Sequence, residues 1–150
     1  LNNMVSPSPS PSSLPSNLRL LQYASILGST GIAAGAFGAH LWKESLQRKP
    51  NGVAIWNTGV LYHLMHSVAM LGVYAISQSA SSPTSSTSLS RPSSATCRLA
   101  GDLMISGVCM FSGSLYCLAL DVGPKALLGP STPLGGLVLM GSWLVLGFKR

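Results

Sequence analysis

Four long apolar stretches, separated by polar links, make up most of the chain. The first, Leu18 to Trp42, contains no proline and one charged residue, Arg19, at its outer edge. A helix rises about 1.5 Å per residue, so about 20 apolar residues cross a hydrocarbon core of about 30 Å. Residues 18–42 therefore predict a membrane-spanning helix. A polar link follows, closing on Lys49-Pro50-Asn51-Gly52, a turn signal. The second span is expected over 53–77, with Trp56 and Tyr74 near its ends, where interfacial aromatics belong. The third is expected over 99–120, with Asp102 in its first turn or as its cap and Asp121-Val122-Gly123-Pro124 closing it. After Lys125 the pattern predicts a short apolar hairpin reaching Pro130-Ser131-Thr132-Pro133. A fourth span is then expected over 133–149, capped by Thr132, with Pro133 in its first turn and Lys149 and Arg150 snorkelling at its end.

Two stretches stand outside this pattern. Residues 1–17 alternate proline and serine without a charge, and such a segment buries too little apolar surface to offset its ordering entropy. It is expected to be an extended or disordered arm, and it lacks the basic start and apolar centre of a secretory signal. The opening Leu1 suggests a trimmed or processed chain. Residues 78–98 are rich in Ser, Thr and Pro and read as a flexible loop. The expected organisation is an N-terminal arm, 1–17, and an all-α domain, 18–150, built as an integral membrane four-helix bundle with both termini on one side. Arg19, Arg91, Arg98, Lys149 and Arg150 fall on the face of the termini, and Lys43, Arg48, Lys49 and Lys125 on the other. The positive-inside rule leans by one residue toward termini on the cytoplasmic or matrix side.

Composition sharpens the membrane reading. Of 150 residues, 47% are hydrophobic and 8% charged, against about 25% charged in an average soluble domain. So little charge cannot keep a soluble globule of this size dispersed. The net charge is +6, yet the basic residues stand singly or in pairs between apolar runs rather than on one face, which argues against nucleic-acid binding. Three cysteines without CxxC spacing indicate neither a disulfide framework nor a zinc site.

Candidate chemistry is sparse. His40, His63 and His66, with Tyr62, are the polar exceptions in or beside the first two spans, and an intramembrane polar residue marks a candidate site. His63 and His66 share a helical face. If the first helix continues through Gln47 and the turn is tight, His40 and His63 could meet across the helix pair. Three readings are open. The imidazoles could hydrogen-bond across helices and fix packing; they could ligate haem or a metal; or they could line a proton or solute path. Axial haem ligation by His63 and His66 together is excluded, since one helix cannot reach both porphyrin faces. No GxSxG elbow, HExxH or GxxxxGK[ST] loop occurs, so neither enzymatic activity nor a bound cofactor is expected. Small residues offer close helix approach instead: Gly31 and Gly35 as a GxxxG pair flanked by Gly28 and Gly38, then Ser112 and Gly113, Gly135 and Gly136, with Ser106, Gly107, Ser114 and Gly141 on the same apolar faces.

Five segments together, Gly35-Ala-Phe-Gly-Ala-His40, Trp56-Asn-Thr-Gly-Val60, Tyr62-His-Leu-Met-His66, Phe111-Ser-Gly-Ser-Leu-Tyr116 and Thr132-Pro-Leu-Gly-Gly136 with Trp143 after it, resemble the transmembrane-protein-256-like family, domain of unknown function 423. The resemblance covers about Leu20 to Phe148, the Ser-rich loop excepted. It implies a small four-helix integral membrane protein of bacterial inner membranes and eukaryotic organelles, and no catalytic activity. The loop and the N-terminal extension depart from the family pattern and favour an organelle. The leading expectation is a non-catalytic accessory subunit of a large membrane complex, a mitochondrial respiratory complex first. Its partners would be lipids and other transmembrane subunits, and its location the mitochondrial inner membrane, with chloroplast thylakoid or bacterial inner membrane as alternatives. The runner-up functions are a solute or proton pathway lined by His40, His63 and His66, and a haem- or quinone-binding electron carrier.

Overall fold

The computed structural model describes residues 16–79 and 92–148. Their secondary structure is entirely helical: α1 (Ser16–Ala39), α2 (Lys43–Gln47), α3 (Gly52–Ser79), α4 (Ser94–Leu120) and α5 (Lys125–Phe148). α1, α3, α4 and α5 are each long and apolar enough to cross a bilayer, so the chain is an integral membrane four-helix bundle. Residues 1–15 of the expected arm (1–17), most of the Ser-rich loop including Arg91, and the terminal Lys149 and Arg150 lie outside the described residues.

Several boundaries differ from the sequence pattern, α1 already beginning at Ser16, inside the expected arm. α1 stops at Ala39, where the Trp42 amide donates to the Phe37 carbonyl at 2.9 Å and turns the chain into the separate α2. Asn51 takes a left-handed φ of 61°, and at Gly52 any Cβ would run into the Leu46 carbonyl oxygen, so glycine starts α3. α4 begins at Ser94, within the expected loop, because the Ser93 hydroxyl accepts from the Thr96 amide at 3.1 Å and caps it. Asp102 therefore lies two turns inside α4 and is neither cap nor first-turn residue.

The α4 terminus is closed by Asp121 in the left-handed region (φ 65°), with Val122 N–H donating to the Cys117 carbonyl at 2.9 Å and Asp121 N–H to Leu118 at 3.4 Å, the pairing of a Schellman stop. The expected hairpin at 125–132 is absent: α5 runs unbroken through Pro130 and Pro133. Its first turn is set by Pro124, whose carbonyl accepts from Leu127 and Leu128 at 3.0 and 3.1 Å. Thr132 consequently caps nothing; its hydroxyl bonds Ser114 of α4 at 2.7 Å.

α3 lies against α1 and α4, and α5 packs its backbone on α4 alone. Gly31 faces Leu64 and Gly38 faces Trp56, so α1 and α3 run antiparallel; Gly59 against Tyr116 and Gly107 against Leu139 show the same for the next two pairs. The main core joins Leu20, Ala24 and Leu27 of α1 to Met70 and Val73 of α3, Cys97, Met104 and Val108 of α4, and Leu139 of α5. A second cluster, Leu46, Trp56 and Ala119, closes the α2 end. Trp56 is buried there rather than facing the interface.

Candidate functional site

The polar side chains inside the bundle form two short networks centred on α3. In the first, Thr30 of α1 has its hydroxyl 2.7 Å from the Ile26 carbonyl, which can only accept, so that hydroxyl donates there. Its oxygen lies 3.2 Å from His63 Nε2, which therefore carries the proton and donates to it. The other ring nitrogen, Nδ1, is left as an acceptor 3.2 Å from the Tyr116 hydroxyl of α4. The bonds run in one direction, from Tyr116 through His63 and Thr30 to a backbone carbonyl, and tie α4, α3 and α1 together at one level.

The second network lies one turn further along α3. The indole Nε1 of Trp143, a donor only, approaches His66 Nε2 at 3.4 Å, and His66 Nδ1 is 2.8 Å from the Tyr62 carbonyl. These partners select the tautomer with the proton on Nδ1. Tyr62 stacks on His66 (6.0 Å, 17°) and leans on Phe111 of α4 at 4.7 Å. Trp143 is thus a side-chain link from α5 to α3.

His40 joins neither network. It is exposed in the turn after α1, and His63 sits at the level of Thr30 and Gly31, nine residues or about 14 Å back along that helix. The expected meeting of His40 with His63 fails because α1 ends at Ala39 and its register against α3 sets Gly38, not His40, opposite Trp56. His40 cannot pair with either partner around one porphyrin in this arrangement. Among the described residues no group of three or more His, Cys, Asp and Glu is placed to hold a metal ion.

The small residues divide by what faces them. A Cβ at Gly31 would come 2.7 Å from the Leu64 side chain, and one at Gly38 would strike the Trp56 indole; Gly135 lies against the Phe111 backbone. Gly28, Gly35 and Gly136 have room for a methyl group, at 3.8, 3.5 and 3.7 Å from their neighbours, and Gly113 and Gly141 face open space. Ser112 is buried with its hydroxyl unpartnered. Thr30, a partner of His63, and Gly101, which seats Leu20, were not singled out by sequence; Tyr116, Trp143 and Gly59 stood only in the motifs of the family resemblance, and Gly107, which seats Leu139, only among the small residues.

At the α2 end, Asp121 accepts from both Lys49 (3.1 Å) and Lys125 (2.9 Å), and Lys49 also reaches the Leu118 carbonyl at 3.4 Å. The Lys125 ammonium first, then that of Lys49, holds the Asp121 carboxyl below the usual carboxylate range. This cluster joins the turn before α3 to the turn between α4 and α5.

Comparison with known proteins places this architecture. The family model described as Protein of unknown function (DUF423) matches residues 34–136. The chain is 35% identical over 115 residues to the UPF0382 membrane protein YwdK of Bacillus subtilis, covering 77% of this chain and 81% of that one. It is 32% identical over 123 residues to the UPF0382 membrane protein C1782.12c of Schizosaccharomyces pombe, covering 80% and 91%. To the UPF0382 inner membrane protein YgdD of Escherichia coli it is 31% identical over 128 residues, 85% of each. No solved structure matches the chain. With its four membrane helices and relatives named as membrane proteins in bacteria and yeast, the chain belongs to the DUF423 family of membrane proteins.

Proposed function

We propose that the protein is a non-catalytic accessory subunit of a larger membrane assembly, with a respiratory complex of the mitochondrial inner membrane as the first candidate. The observation that carries this reading is how the intramembrane polar groups are used. His63 and His66 spend both ring nitrogens on side chains and carbonyls of the bundle itself, as packing devices do. The relay through His63 ends on a backbone carbonyl, which offers no site for a travelling proton. Meanwhile α5, whose backbone packs on α4 alone, leaves Leu134, Leu137, Met140 and Leu144 uncovered and Gly141 open, a face suited to lipid or a neighbouring helix. The mitochondrial location draws support from relatives in bacterial membranes and in a yeast, a distribution that suits descent from a bacterial inner membrane.

Extraction in a gentle detergent followed by native electrophoresis tests the reading. Migration within a particle far larger than the free chain is expected. Migration only as a free small protein overturns it.

A further inference from the structure

α1 and α4, both antiparallel to α3, run parallel to each other and meet at one end, where Leu20 packs on Gly101. Toward the other end they part. A cleft of about 400 Å³ opens between them, floored by Trp56 and Tyr116 and walled by Ala33 and Phe37 on one side and Cys117 and Leu120 on the other. The polar groups of Tyr116, Trp56 and Thr30 on this lining are engaged within the bundle. The Tyr116 hydroxyl is spent on His63, the Trp56 indole donates to the Ala34 carbonyl at 3.1 Å, and the Thr30 hydroxyl serves its own helix. An occupant of the cleft must be apolar along its length.

Its depth narrows the choice. From Thr30 to the end of α1 at Ala39 is about 14 Å, half of a hydrocarbon core of about 30 Å. A helix from another subunit crosses the whole core and could enter the cleft over only part of its length, because α1 and α4 close on each other at Leu20 and Gly101. A lipid chain ends at the midplane. Val122, at the mouth, follows Asp121, where two ammonium groups share one carboxylate. Among the described residues this end of the bundle carries Lys43, Arg48, Lys49 and Lys125 against Glu44 and Asp121, an excess of positive charge. Basic groups at the membrane surface attract anionic headgroups.

We propose that the cleft between α1 and α4 holds one acyl chain of an anionic phospholipid whose headgroup rests against Lys49 and Lys125. This is independent of the accessory-subunit reading, since a free bundle would bind the lipid equally.

Trp42 and Trp56 both line the cleft and serve as reporters. The Trp143→Phe protein, which keeps only those two indoles, is reconstituted in dioleoylphosphatidylcholine vesicles. Phosphatidylglycerol or phosphatidylcholine carrying brominated chains is then titrated in. Brominated phosphatidylglycerol is expected to quench half-maximally at a mole fraction at least about fivefold below that of the phosphatidylcholine. Ala33→Phe, which fills the cleft, is expected to bring the two curves together. Coincident curves in the Trp143→Phe protein overturn the proposal, as does a preference that survives Ala33→Phe. The two-lipid comparison repeated with Trp143 retained needs no altered residue and shows the same preference above the quenching of the half-exposed Trp143, which is the same for both lipids; absence of that preference also overturns the proposal.

Discussion

Gly38 lies directly beneath the Trp56 indole, leaving no space for a Cβ, while that indole donates to the carbonyl of Ala34 one turn back on the same helix. α1 is thereby clamped to α3 by contact and hydrogen bond at once. Adding a methyl group here forces the indole out of both. Gly38→Ala is expected to destabilise the bundle by about 1–3 kcal/mol, the usual cost of overpacking. Gly35→Ala, which meets only ordinary contact with Val60 at 3.5 Å, should instead be neutral or gain up to about 1 kcal/mol of helix propensity. Thermal unfolding of both variants in detergent distinguishes Gly38 from Gly35.

The network through His63 predicts coupling between residues on different helices. Tyr116→Phe removes the donor to Nδ1 and Thr30→Val the acceptor for Nε2–H. Each is expected to cost about 0.6–1.7 kcal/mol, the range for interhelical hydrogen bonds in membranes. The double variant should cost less than the sum, since both bonds depend on one imidazole. A double-mutant cycle by denaturant titration measures this, and strict additivity would show that the ring holds the two partners independently.

Asp121 gives a pH dependence with a definite sign. Its carboxyl titrates lower in the folded chain than in the unfolded one, so its contribution is fully present above the ordinary carboxylate range near 4 and is lost as pH falls through the lowered folded value. Asp121→Asn keeps a residue that tolerates the left-handed φ but removes the charge. Melting curves from neutral down to about pH 3 should show the native protein losing more stability than the variant, whose remaining slope reports the other carboxyls.

Ser112 is the one buried side-chain polar atom among the described residues left without a partner. An unsatisfied buried hydroxyl costs about 1–3 kcal/mol. Ser112→Ala, nearly the same in volume, is expected to keep or raise the melting temperature. A clear drop would show that the hydroxyl is hydrogen-bonded inside the bundle after all.

The four spans were legible because lipid imposes a blunt rule: every backbone group must be satisfied within the segment, so a charge-free run of sufficient length is a helix. The helix ends were harder. Ser93 caps α4 from within a serine-rich stretch where no serine stands out, and Pro130 and Pro133 read as a turn although both fit within α5. The histidines were found by their polarity, but Thr30, Tyr116 and Trp143 lie on three other helices, and only the register of those helices brings them to His63 and His66. Likewise Gly31 and Gly35 carry the same motif, yet a Cβ at the first must push the Leu64 side chain aside while Val60 leaves room for one at the second.

The clamp from Thr30 through His63 to Tyr116 draws on α1, α3 and α4 and needs nothing from α5. Every bond of the clamp therefore lies within the first three spans. Displacing α5 would break the Trp143–His66 link and uncover the seat of Leu139 on Gly107, yet leave the clamp itself intact, so the bundle can loosen on one side without coming apart on the other.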